Sequence, residues 1–213
     1  MFPFPFSFTS SLAELDQLDN LYSFEFDGVG AYMDLGSPSA LNLTGNMSIS
    51  VWINTNTVAI GGKAIVCDVS AAANASQFCL EINRTAGKIS ALANGSTVAL
   101  TGSSTLSINT WYHVVLTRSG SASNWDYSIY INGVSDGTAN TAQNPDSQQG
   151  SAIGRYGQSS SGYFNGEIDE VGVFNVALTG AEVLSIYNAT TTGKTADLSA
   201  LSTPPIAWYR MGD

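Results

Sequence analysis

The chain has 213 residues, a formal net charge of −10 and a pI near 4.2, with 11% charged and 44% hydrophobic residues. Such an acidic balance excludes binding to nucleic acid or an anionic membrane through a broad basic face, and it suits cation binding and solubility. The apolar share is ample for one large core, and no stretch approaches the roughly 18–20 continuous apolar residues that span a bilayer. Abundant Gly, Ser, Thr and Asn, with 10% aromatics, describe many short strands joined by tight turns.

Residues 1–20 stand apart as an N-terminal docking arm. MFPFPFSF lacks a basic start and is broken by proline, so it makes a poor export signal and cannot enter a central strand. Its Phe2, Phe4, Phe6 and Phe8 would be a liability in water, and docking on a partner covers them. Leu12, Leu15 and Leu18 follow at helical spacing.

From Tyr22 short strands take over. SFEFDG and AYMDLG are followed by SISVWIN, in which Ile49, Val51 and Ile53 face one way. AIVCDV, QFCLEIN and KISALAN come next, then WYHVVLTR and WDYSIYINGV. Asn132-Gly133 is a strong signal for a two-residue hairpin, because both positions of its turn need positive φ. Cys67 and Cys79 lie symmetrically about Ala73, so a hairpin there could bring them face to face, as a disulfide or as two packed thiols. SAIGRY leads to YFNGEIDEVGVF. One helix follows, with Thr179 as N-cap and Glu182 three residues on, and Gly193 marks its exit. A linker with Pro204 and Pro205 then reaches a last strand, IAWYRMGD. The pattern predicts an all-β, two-sheet antiparallel sandwich over residues 21–193, with one short helix near the C-terminus and residues 194–213 as linker and closing strand.

The ordered pieces SFEFDGVGAYMDLG, SISVWIN, WYHVVLTRSG, YINGV and YFNGEIDEVGVFNVALTGAEVLSIY resemble laminin G-like jelly rolls of the concanavalin A-like lectin/glucanase superfamily. The two ends, DNLYSFEFDG and TGKTADLSALSTPPIAWYRMGD, resemble modules of marine bacteriophage tail, fibre and surface proteins. WYRMGD is similar to the strand that usually opens such a module, yet here it closes the chain. It either completes its own sandwich or is donated to a neighbour, and both relieve an unpaired edge.

The carboxylates Glu167, Asp169 and Glu170 raise the question of catalysis. Alternation puts Glu167 and Asp169 on one face and Glu170 on the other. In the glucanase branch a second acid follows the Asp on the same strand; here Val171 and Gly172 stand in its place, so no catalytic residue is expected. The single histidine, His113, reads as a core or sheet-edge residue, and one His with two Cys excludes an ordinary structural zinc site. The resemblance implies a structural Ca²⁺ held by Asp169 and Asp27; the competing reading has Asp169 accepting from backbone amides without a metal. For glycan stacking the candidates near strand ends and loops are Tyr32, Trp125, Tyr156 and Tyr163, although for Trp125 and Tyr156 core or rim packing is the favoured reading. By the resemblance Trp52 and Trp111 occupy core positions and serve packing; Arg155, in IGRY, reads as pinning a loop by hydrogen bonds rather than gripping a ligand. The expected role is a non-catalytic module on a virion surface, as capsid decoration or fibre component. It would act as a homo-oligomer or a subunit of a larger assembly with other virion proteins, and would hold host or environmental polysaccharide. A structural cement protein without a ligand is the main competitor, and a glycoside hydrolase the weaker one.

Overall fold

Period-2 alternation of apolar and polar residues builds two antiparallel sheets whose apolar faces meet. The computed structural model describes residues 15–70, 75–95 and 97–212; Phe2, Phe4, Phe6, Phe8 and Leu12 lie outside them. The seven-stranded sheet runs β11 (Val134–Thr141), β10 (Asn124–Ile131), β9 (Trp111–Ser121), β4 (Met47–Thr55), β13 (Asn165–Phe174) and β15 (Ala207–Tyr209). A further strand, β2 (Phe24–Asp27), also pairs with β13. The six-stranded sheet runs β3 (Met33–Gly36), β12 (Ser151–Ile153), β5 (Lys63–Ser70), β6 (Ala75–Ile82), β7 (Ile89–Leu92) and β8 (Val98–Thr101). Between the sheets lie Ile49, Val51 and Ile53 of β4, Val114 and Leu116 of β9, and Ile168, Val171 and Val173 of β13. They pack with Phe78, Leu80 and Ile82 of β6. The expected two-sheet all-β sandwich is therefore the observed one.

Within residues 21–193 two strands have no clear signal in the sequence. The strand β8 (VALT) is only four residues long, and β11 (VSDGTANT) is short of apolar residues and has little strand propensity of its own. It forms because the Asn132-Gly133 turn, with φ of 51° and 78°, folds it back onto β10.

The chain ends depart further from expectation. Leu15 packs into a satellite apolar cluster, and Gln17–Asp19 form a strand, β1, that pairs with β14 (Lys194–Ala196). Helical leucine spacing thus lost to backbone pairing, and the last part of the expected arm docks on its own chain. The closing strand β15 pairs in cis with β13 through Val171↔Tyr209, Gly172↔Trp208 and Val173↔Ala207. It shares that edge with β2, which takes the first half of β13, from Asn165 to Ile168.

A bulge lets one strand serve both partners. Between Asp169 and Gly172 the register with β4 shifts, and Glu170 adopts φ 51°. The extra residue resets the alternation, so Val171 and Val173 reach the core while Phe174 joins the cluster beneath the helix. The Glu170 carboxylate accepts from Trp208 Nε1 at 2.6 Å and Arg210 Nε at 3.2 Å, while Arg210 Nη2 reaches the Asp19 carbonyl at 2.5 Å. Glu170 is therefore more than a polar strand position: it holds the C-terminal strand.

The helix α1 (Gly180–Ala189) starts with the expected capping box, Thr179 with Glu182. Val183 and Ile186 lay it on the outer face of the seven-stranded sheet, against Val115 and Phe174. On the outer face of the other sheet Cys67 and Cys79, register partners on β5 and β6, are joined as a disulfide. Among the described residues no helix is long and apolar enough to cross a membrane.

Candidate functional site

The outer face of the seven-stranded sheet carries two cross-strand rows. Glu167 lies opposite Asn54, and Asn54 opposite Trp111; Asp169 lies opposite Trp52, and Trp52 opposite His113. Since Ile49, Val51 and Ile53 point into the core, Trp52 must point out with Ser50 and Asn54. The same alternation places Trp111, His113 and Val115 on the outer side of β9.

Gly166 brings β13 close to β4 at the start of the first row. Its φ is +139°, and a Cβ there would sit 2.1 Å from the Asn54 carbonyl oxygen. Glu167 then accepts from Ser23 Oγ and Asn54 Nδ2, each at 2.9 Å. Asp169 accepts from the Glu170 amide at 2.8 Å.

Above these rows stands Tyr187 of α1. Its ring stacks near Trp52 (centroids 6.1 Å) and His113 (6.2 Å), and Trp52 and His113 are 5.3 Å apart. His113 is fully buried; Nε2 meets Ser50 Oγ at 2.8 Å, and Nδ1 has no hydrogen-bond partner among the described residues. Burial pushes its pKa down to about 3, so the ring is neutral at physiological pH. It serves as a buried sheet residue, as its position in the strand implied.

A groove of about 760 Å³ opens between this face, residues 20–23 and the turn after α1. Trp52, Trp111 and Tyr187 supply aromatic surface, Glu167 and Asp169 the carboxylates, and Tyr22 part of the near wall. Thr190–Lys194 close the far wall, where Lys194 Nζ is bound to Asp19 at 2.6 Å. That ion pair lowers the Asp19 pKa, chiefly through its hydrogen bond from Lys194. Trp111 is 37% exposed. Neither tryptophan lies in the core between the sheets, as their alternation with core residues signals. Trp111 faces the groove, while Trp52 does serve packing, stacked on the outer face with His113 and Tyr187. Tyr187 could not be found that way, because only the docking of α1 brings it over β4 and β9.

The four stacking candidates do not converge on one site. Trp125 is 5% exposed, packs in the core and donates Nε1 to Asn144 at 2.9 Å, so it offers no face to a ligand. Its alternation with Tyr127 and Ile129 carries it inward. Tyr156 lies on the opposite outer face and donates its hydroxyl to Glu81; burial, then the neighbouring carboxylate, raise its pKa. Tyr32 and Tyr163 do meet, with centroids 6.4 Å apart, and the Arg155 guanidinium lies 3.5 Å above the Tyr32 ring. Among the described residues Arg155 Nε has no hydrogen-bond partner, so stacking rather than hydrogen bonding through Nε holds that side chain.

The two acids expected to hold Ca²⁺ are likewise apart. Asp27 pairs with Asn165, four positions before Asp169 on β13, or on the order of 13 Å along the strand. One Asp27 oxygen accepts from the amides of Val29, Gly30 and Ala31, and these bonds hold its pKa down to about 2. Among the described residues no group of three or more His, Cys, Asp or Glu gathers where a metal could sit. The residues present do not fit one ion shared by Asp27 and Asp169.

A family model described as the concanavalin A-like lectin/glucanases superfamily matches residues 27–184, well over half of the chain. No curated protein matches. Among solved structures, a candidate carbohydrate-binding protein from Bacteroides ovatus is 19% identical with a TM-score of 0.65. The match covers 94% of this chain and 53% of that one, so this chain spans about half its length. A heptameric SAP-like pentraxin from Limulus polyphemus is 18% identical, TM-score 0.60, over 76% of this chain and 80% of that one. The carbohydrate-binding module CBM40 of the Ruminococcus gnavus IT-sialidase, bound to α2,3-sialyllactose, is 15% identical with a TM-score of 0.64. That match covers 80% of this chain and 97% of the module. At such identities these structures share the fold.

Proposed function

This chain belongs to the concanavalin A-like lectin/glucanase superfamily, and on that premise we propose that it is a non-catalytic glycan-binding module whose ligand lies in the groove over β4, β9 and β13. The observation that carries the reading is the pairing of Trp111, exposed on the outer sheet face, with Glu167 in one groove of ligand size. Pyranose rings present a C–H face to aromatic rings and hydroxyl donors to carboxylates, and this surface supplies both partners. The carbohydrate-binding modules among the structural neighbours support the same class of ligand. Glu167 is engaged by Ser23 and Asn54, which suits an anchored acceptor better than an acid waiting to give a proton.

Isothermal titration against an oligosaccharide panel tests this, with Trp111→Ala as the control variant. Loss of affinity in the variant supports the groove; unchanged affinity rejects it. Any hydrolysis that disappears in Glu167→Gln would reverse the non-catalytic reading in favour of a glycosidase.

We place the module outside the cell, on a virion surface among other virion proteins. The resemblance of the chain ends to phage surface modules supports this, and so does the Cys67–Cys79 bridge, since disulfides persist in oxidising surroundings. Attachment of a variant lacking residues 1–14 to its particle tests the docking role of Phe2, Phe4, Phe6 and Phe8. Normal attachment would remove that role. Binding to the particle without binding to any glycan would favour a cement protein.

A further inference from the structure

The charges around the groove carry a statement about which glycan it accepts, one that rests on reading the groove as a glycan site. Its floor holds Glu167 and Asp169, and Glu25 is the register partner of Glu167 on the neighbouring strand β2. The one basic side chain on the wall, Lys194, is already bound to Asp19. The arginines are engaged elsewhere: Arg84 with Glu81, Arg118 with the carbonyls of Leu43, Gly45 and Gln77, Arg210 with Glu170, and Arg155 over Tyr32. The chain as a whole carries −10.

We infer that the groove selects neutral glycans and excludes uronic, sialic and sulfated sugars. A sugar carboxylate or sulfate entering it would lose water beside two fixed carboxylates, with no unpaired basic side chain among the described residues that line the groove. A neutral pyranose meets no such opposition. Its hydroxyls donate to Glu167 in charge-assisted hydrogen bonds while its apolar face lies on the exposed Trp111. The carboxylates therefore act as specificity determinants: they reward hydroxyl donors and reject anions.

The test is titration of the full chain with matched pairs: lactose and 3′-sialyllactose, galactotetraose and tetragalacturonate, mannotetraose and tetramannuronate. At low salt the neutral member of the pair that binds should be at least about tenfold tighter, and Glu167→Gln should shrink that ratio. Should the variant fail to fold, salt on the unaltered protein decides: added NaCl should strengthen acidic ligands relative to neutral ones, because it screens repulsion. An acidic member that binds equally or more tightly, or that weakens with salt, overturns the charge selection while the glycan site stands. No binding by any member of any pair overturns the site itself, which separates the two failures.

Discussion

On the outer face of the six-stranded sheet, Tyr156 donates to Glu81, Glu81 accepts from Arg84, and Cys67 is bridged to Cys79 beside Ala64 and Leu92. On the outer face of the seven-stranded sheet, Trp52, Trp111, Glu167 and Asp169 stand beside a groove, partly roofed by Tyr187. Both faces carry aromatic and acidic residues, so residue type does not separate them. What separates them is whether those residues border an open space. The first face closes on itself through a Tyr–Glu–Arg cluster and a covalent bridge. The second sets the exposed Trp111 and the hydrogen-bonded Glu167 carboxylate beside a space large enough for a ligand.

Acidification should act on the groove face more than on the other, and it gives the largest effect. His113 has its folded pKa depressed to about 3 by burial, against an ordinary value of 6.5. The unfolded chain therefore binds a proton first, so stability is present above pH 6.5 and is lost as pH falls toward 3. The loss is on the order of 4 kcal/mol over that window. Urea melts at stepped pH should show a flatter acid limb in His113→Gln than in the unaltered chain, although carboxylates titrate in both. An identical slope would mean that His113 is not buried as a neutral ring.

Removing the bridge tests whether the two faces are independent. Replacing Cys67 and Cys79 with alanine should cost about 2–4 kcal/mol in denaturant melts, the usual range for such a crosslink, without changing glycan affinity. A fall in affinity would show that the faces are coupled through the core. Trp111→Ala should do the reverse: about tenfold weaker glycan binding, or roughly 1.4 kcal/mol, with little change in melting temperature. The smallest effect belongs to Tyr156→Phe. It removes the hydrogen bond to Glu81 and should lower stability by about 1 kcal/mol, with binding untouched. A binding defect there would move the ligand site to the six-stranded sheet.

Much of this architecture was legible residue by residue. The Ile49, Val51, Ile53 alternation, the Asn132-Gly133 turn and the Thr179–Glu182 capping box each turn on neighbours within a few positions, and each appears in the fold. The candidate site was half legible. Alternation placed Glu167 and Asp169 on one face, and the same rule applied to β4 would have turned Trp52 outward. The resemblance to family core positions points the other way, yet Trp111 is exposed on the outer face and Trp52 packs there against His113 and Tyr187. For Trp125, which stands near a strand end in sequence, register decides for the favoured packing reading and carries it into the core.

Local preference is what a sequence writes down, because turns, caps and alternation depend on residues close along the chain. By itself this sequence determined an acidic, antiparallel sandwich with one capped helix and a carboxylate-bearing last long strand. Only the tertiary structure decided that β15 completes its own sheet, that Glu170 occupies a bulge and holds that strand, and that Tyr187 stands over Trp52 and His113. Those contacts join residues tens to well over a hundred positions apart. They depend on register and docking angle, which no local pattern fixes, and together they turn a sheet face into a groove.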